Sequence, residues 1–192
     1  DTGPPMKLLS LLKDLPVVEI SGKENPEISS PVYDSRRSAP GSLFFALPGE
    51  KADGAAFAPL AVLNGARAVV AARIIPDLPD SVTQVIVENP RAFMARAAGK
   101  FFGHPSAKLK VAGITGTNGK TTTSFLVRHI LNESGKSCGL VGTVVYAVGI
   151  EEAPAARTTP ESVDLQNLLA EMIVRGNKAV AMEVSSHALV QN

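Results

Sequence analysis

The chain has 192 residues, 45% of them hydrophobic and 19% charged, which suits one large or two small globular domains with packed cores. A net charge of +1 implies no nucleic acid or membrane surface as a partner. The single Cys138 excludes an intramolecular disulfide framework and fits a reducing compartment, and no apolar run approaches the roughly 20 residues that span a bilayer.

Asp1 to Pro5 precede Met6, read as a remnant outside the fold, and no signal peptide is legible. Met6 to Leu15 reads as a short helix, with leucines at helical spacing. Val32 to Ser35 and Leu43 to Leu47 are strand candidates, separated by a turn at Ala39-Pro40-Gly41. Asp53 caps a helix over Gly54 to Leu63. Ala68 to Ala72 and Val82 to Val87 read as strands. Asn89 caps a helix that starts at Pro90 and ends near Gly103. His104-Pro105-Ser106 reads as a linker. Beyond it come strand Leu109 to Thr115, helix Thr121 to Ser134 stopped by Gly135, strand Cys138 to Tyr146, a loop with Pro154 and Pro160, helix Glu161 to Arg175, and strand Ala179 to Val184. This alternation predicts an α/β fold. A small α/β domain (6–106) precedes the start of a parallel-sheet domain (107–192), with three strands visible and ligands at the C-terminal strand ends.

The run Val111-Ala-Gly-Ile-Thr-Gly-Thr-Asn-Gly-Lys-Thr-Thr-Thr123 carries the sharpest chemistry. A strand, a glycine-bearing turn, Lys-Thr and a helix make a phosphate-binding loop. Gly116 and Gly119 free the backbone so that successive N–H groups face one concavity, and the helix start adds its own. Lys120 supplies charge for the β- and γ-phosphates, and Thr121 a hydroxyl for Mg²⁺. The general pattern would put glycine at 114, where Ile114 stands. A strand–helix turn that merely tolerates glycine is the plain alternative.

Two further clusters fall at strand ends, Arg157-Thr158-Thr159-Pro160 and Met182-Glu-Val-Ser-Ser-His187. Glu183 at the phosphate end of its strand suits Mg²⁺, directly or through water, or else a helix N-terminus. His187 stays open between metal ligand, phosphate contact and helix cap. Ser185 and Ser186 suit helix capping, and no G-x-S-x-G turn makes either a nucleophile. Cys138 reads as a small buried hydrophobe, and His104 and His129 as structural or solvated.

Gly116-Thr-Asn-Gly-Lys-Thr-Thr122, Thr158-Thr159-Pro160 and Met182-Glu-Val-Ser-Ser-His-Ala-Leu189 resemble the central domain of the Mur ligases, most nearly the MurE family. Asp34-Ser35-Arg36, Leu43-Phe-Phe-Ala46 and Ala52-Asp53-Gly54 resemble that family's N-terminal, UDP-binding domain. The resemblance runs over nearly the whole chain from Met6. It implies an ATP- and Mg²⁺-dependent amide ligase of peptidoglycan synthesis in the bacterial cytoplasm, acting as a monomer. The substrate would be UDP-N-acetylmuramoyl-L-alanyl-D-glutamate, activated as an acyl phosphate and attacked by a diamino acid, meso-diaminopimelate or L-lysine.

By this resemblance Tyr33 and Ser35 contact uridine, and Glu50, Lys51 and Ala52 the uridine diphosphate. Gly116, Thr117, Asn118, Gly119, Lys120, Thr121 and Thr122 bind ATP. Thr158, Thr159, Ser185 and Gln191 contact the muramoyl-dipeptide. Thr121 and Glu183 hold Mg²⁺, and Lys120, Glu183 and His187 form the catalytic set. The chain departs from the family at Arg157, commonly Asn, and at Glu50-Lys51, often His-Gln. The family also continues past the position of Asn192 with the carboxylated lysine, adenine contacts and amino-acid pocket. The expectation is therefore an N-terminal fragment with little or no ligase activity alone. Alternatives are another Mur-type ligase or folylpolyglutamate synthase, a non-catalytic nucleotide-binding module, and a phosphate-loop kinase or GTPase. The last lacks an N-K-x-D motif here.

Overall fold

In the computed structural model, residues 3–49, 53–155, 158–186 and 188 are described. The chain divides into two compact units, one from Thr2 to Phe101 and the other from Phe102 to Asn192.

The first unit runs β1 (Met6–Lys7), α1 (Leu8–Leu12), β2 (Glu19–Ser21), β3 (Glu27–Ile28), β4 (Ser30–Val32), β5 (Ser42–Phe45), α2 (Ala58–Leu63), β6 (Ala68–Ala71), β7 (Thr83–Ile86) and α3 (Pro90–Phe101). Its five-stranded sheet has the order β2-β7-β6-β5-β4. The pairs among β4 to β7 are parallel and β2 is antiparallel to β7. Every residue of β5, β6 and β7 is buried, as expected of parallel strands covered on both faces. Alternation divides them. Phe44 and Val69 join Ala58 and Ala61 of α2 in one core cluster, and the intervening Phe45 and Val70 are fully buried as well.

Helix α3 starts where its side chains dictate. Asn89 Oδ1 accepts the amides of Arg91 at 3.1 Å and Ala92 at 3.0 Å, and Pro90 takes the first turn. Phe93, Met94, Ala97, Ala98 and Phe101 form its buried stripe.

The second unit runs α4 (Pro105–Lys108), β8 (Lys110–Ile114), α5 (Lys120–Glu133), β9 (Cys138–Val141), β10 (Val145–Val148), β11 (Glu151–Pro154), α6 (Ser162–Val174) and β12 (Ala179–Glu183). The sheet order is β11-β10-β9-β12-β8. Strand β12 is parallel to both neighbours, β8 and β9, while β10 and β11 continue the sheet antiparallel. Alternating residues of β12 serve opposite faces. Ala179 and Ala181 pack with Val127 and Leu131 of α5, and Val180 packs with Leu169 and Met172 of α6. A Cβ at Gly139 would lie 2.7 Å from Met172 Sδ, so the glycine lets α6 approach.

Several sequence expectations are corrected. The helix expected over Met6 to Leu15 is confined to Leu8–Leu12, because Met6 and Lys7 pair with Ile28 and Glu27. The strand expected over Val32 to Ser35 ends at Val32, and Ser35–Arg37 form a 3-10 turn. The helix from Gly54 begins as a 3-10 turn over Gly54–Phe57. The linker at 104–106 is instead a left-handed His104 (φ 54°) leading into α4. The strand expected over Cys138 to Tyr146 is two antiparallel strands, broken over Gly142, Thr143 and Val144. Among the described residues the second unit therefore has five strands in place of three, and not all parallel. The short edge strands β1, β2, β3 and β11 lack the long apolar pattern that reveals strands in sequence.

Candidate functional site

The phosphate-loop segment follows β8, at the C-terminal end of a parallel strand. Gly116 (φ 146°) and Gly119 (φ 77°) sit in backbone regions that side chains rarely adopt, and Gly119 is the residue before α5. Lys120 Nζ donates to Gly116 O at 2.6 Å, which places its charge across the turn. Thr117 and Asn118 are exposed, as are Gly116 and Gly119, so the turn is open to a ligand. Thr122 is exposed at the start of α5.

Strand β12 lies between β8 and β9, so its last residue, Glu183, comes up beside the loop, in register with Ile114. Glu183 is 1% exposed. Its Oε2 accepts Thr121 Oγ1 and Thr143 Oγ1, each at 3.1 Å, and its Oε1 accepts the Thr143 amide at 3.0 Å. These hydrogen bonds hold the buried carboxylate in one place. A Cβ at Gly142 would lie 2.5 Å from Glu183 Oε1, so the strand break at Gly142 makes room for the carboxylate. Sequence reasoning brought Thr121 and Glu183 to one end of the sheet. It missed Gly142 and Thr143, although a Gly-Thr pair ending an apolar strand was the available signal.

Thr158 and Thr159 reach the same place. The hydroxyls of Thr143 and Thr158 are 3.1 Å apart. Thr159 Oγ1 donates to Glu183 O at 3.0 Å and accepts the Ser185 amide at 3.2 Å. Ser185 Oγ accepts the Ala188 amide at 3.1 Å, the capping geometry expected of it. His187, Gln191 and Arg157 lie outside the described residues.

The donor set suits a hard cation. One carboxylate and two threonine hydroxyls converge, all oxygen. Among the described residues no group of three or more His, Cys, Asp or Glu forms a metal cage. Such a set fits Mg²⁺ held partly by nucleotide phosphates and water. Cys138 is buried, and burial pushes its thiol up from the usual range, which makes it unreactive. His104 and His129 are exposed and away from these contacts.

In the first unit the expected uridine residues follow β4, again at a C-terminal strand end. Asp34 Oδ1 accepts the Arg36 amide at 3.0 Å, and Asp34 Oδ2 lies 2.7 Å from Arg36 Nη2. That guanidinium holds the Asp34 carboxyl below its ordinary value. Ser35 is buried, and its carbonyl accepts Asn64 Nδ2 at 3.0 Å. Tyr33 is partly buried beside it. Asp53 Oδ1 accepts the Ala55 amide at 3.0 Å, and Arg73 Nη2 donates to its Oδ2 at 2.6 Å. The amide first, then the guanidinium, lowers the Asp53 pKa. Glu50, Lys51 and Ala52 lie outside the described residues.

Both units match known proteins. The family described as "Mur ligase middle domain" matches residues 114–192, and "Mur ligase family, catalytic domain" matches residues 27–102. A UDP-N-acetylmuramoyl-L-alanyl-D-glutamate–2,6-diaminopimelate ligase of Caldanaerobacter subterraneus is 46% identical over 96% of this chain and 38% of its own length. The protein of the same name from Geobacillus kaustophilus is 48% identical over 97% of this chain and 37% of its own. The chain thus spans well under half the length of these curated relatives. A solved ligase of that name superposes with TM-score 0.79 at 25% identity, over 98% of this chain and 37% of the other. MurF of Acinetobacter baumannii shares the fold, with TM-score 0.68 at 22% identity over 97% of this chain and 37% of the other. With both units matched and relatives near half identical along almost the whole sequence, the chain belongs to the Mur ligase family.

Proposed function

We propose that this chain carries the UDP-sugar-binding unit and the nucleotide-binding site of an ATP-dependent ligase. That enzyme joins 2,6-diaminopimelate to UDP-N-acetylmuramoyl-L-alanyl-D-glutamate. The observation that carries the reading is the buried Glu183 carboxylate held against Thr121, beside a Lys120 loop at the C-terminal ends of the parallel strands β8 and β12. The relatives' names supply the substrates, including the choice of diaminopimelate over lysine.

A carboxylate is a poor electrophile. Its oxygen attacks the γ-phosphorus of ATP, the bond to ADP breaks, and an acyl phosphate forms. The amine then attacks the acyl carbon and loses a proton as phosphate leaves. Lys120 and the loop amides stabilise charge spread over the moving phosphoryl oxygens. Mg²⁺, held by Thr121 and Glu183, would neutralise the β- and γ-phosphates. Thr158, Thr159 and Ser185 orient the acceptor, and positioning supplies much of the rate. His187 and Gln191 are assigned to this side by resemblance, as are Glu50, Lys51 and Ala52 to the diphosphate. In the first unit, Tyr33 and Ser35 hold the uridine.

Calorimetric titration of this chain tests the reading. One arm uses UDP-N-acetylmuramoyl-L-alanyl-D-glutamate, the other a non-hydrolysable ATP analogue with Mg²⁺. Saturable binding of both is expected. Nucleotide binding alone reduces the chain to a phosphate-loop module, and binding of neither overturns the proposal.

A further inference from the structure

Thr143 is the least expected member of the site. Neither the phosphate-loop motif nor the threonine pair includes it, and the sequence placed it inside a strand. The structure instead ends β9 at Val141 and leaves Gly142, Thr143 and Val144 outside the strands. Gly142 leaves space that a Cβ would take from Glu183 Oε1. The Thr143 amide is then spent on Glu183 Oε1 at 3.0 Å, and its hydroxyl meets Glu183 Oε2 at 3.1 Å. One residue therefore contacts both oxygens of the carboxylate. The same hydroxyl lies 3.1 Å from Thr158 Oγ1.

This makes a continuous chain of contacts, Thr121 to Glu183 to Thr143 to Thr158. One end is the first turn of α5, just past the phosphate loop. The other is the threonine pair that precedes α6. Thr143 is exposed to solvent while Glu183 is buried, so the carboxylate's direction is set by the residues bonded to it.

We propose that Thr143 is a positioning residue: it aims the Glu183 carboxylate at the nucleotide's cation and ties that carboxylate to Thr158 on the acceptor side. The inference rests on the functional reading above, since it takes the bound ligand to be a Mg²⁺-nucleotide. Groups that orient a metal-binding carboxylate typically change metal affinity by roughly ten- to a hundredfold when removed.

The test compares wild type, Thr143→Val and Thr143→Ser, titrated with a non-hydrolysable ATP analogue in Mg²⁺ and in EDTA. Valine keeps the shape and the amide but removes the hydroxyl, and serine restores the hydroxyl. The expected result is a loss of roughly tenfold or more in Mg²⁺-dependent affinity for Thr143→Val. Its affinity in EDTA should match wild type, its melting temperature should fall only modestly for the one lost hydrogen bond, and Thr143→Ser should recover the Mg²⁺ effect. A purely structural role would lower affinity by the same factor in Mg²⁺ and in EDTA. That result, or an unchanged Mg²⁺ effect in Thr143→Val, overturns the proposal while wild type still binds. Absence of nucleotide binding in wild type overturns the functional reading as well.

Discussion

Thr121 Oγ1 donates to Glu183 Oε2 at 3.1 Å across 62 residues of sequence. The contact exists because β12 is inserted between β9 and β8, so that a strand late in the chain ends beside the loop of an early one. Glu183→Ala would leave the Thr143 amide, in a part-buried contact, and the Thr121 hydroxyl without their acceptor. A cost of about 1–3 kcal/mol is expected. Glu183→Gln keeps an acceptor and should cost less. Urea unfolding measures both, and calorimetry should show that both lose the Mg²⁺ effect on nucleotide affinity.

Two glycines are predicted to resist alanine for different reasons. At Gly142 the added Cβ meets Glu183 Oε1 at 2.5 Å, the end of a side chain held by three hydrogen bonds. At Gly54 it meets the backbone N and O of Leu47, both at 2.5 Å, and neither can turn aside. Overpacking of this kind costs about 1–3 kcal/mol, sometimes more. Gly54→Ala should therefore lower the unfolding midpoint more than Gly142→Ala. Only Gly142→Ala should also impair nucleotide binding.

Asn89 satisfies two amides at the start of α3. Asn89→Ala should cost about 1 kcal/mol in denaturant unfolding. Asn89→Asp should retain or raise stability, because a carboxylate accepts the same amides and faces the positive helix end. An alanine variant as stable as wild type would show that the cap is not used.

Asp34 and Asp53 both have carboxyls lowered from the ordinary value of 3.8. A lowered folded-state pKa gives stabilisation that is present above the unfolded value and lost as pH falls through the folded one. The turns after β4 and before α2 should therefore be unchanged near neutrality and loosen only below 3.8. Amide exchange at Arg36 and Ala55, the two capped amides, measures this directly. Loss of protection well above that range would contradict the assignment.

Much of the site was legible because its signals are local. A strand, glycines at 116 and 119 and Lys120-Thr121 specify a phosphate loop within a few residues. The caps at Asp53 and Asn89 were readable for the same reason, since a cap bonds amides two or three positions away. The break at Gly142 was hidden by the apolar run around it, which continues through Val144 and Val145. Strand periodicity cannot register a turn made for a carboxylate that arrives 40 residues later.

By itself, the sequence determined the α/β alternation, the glycine-bearing turn before α5 and the caps at Asp53 and Asn89, because each rests on bonds and spacings between near neighbours. Tertiary structure alone decided the strand order that joins Thr121, Thr143, Thr158 and Glu183. It also turned β10 and β11 antiparallel and drew Met6 and Lys7 out of a helix into pairing with β3. These outcomes depend on contacts between distant segments, where burial and backbone pairing outweigh the preferences of any short stretch.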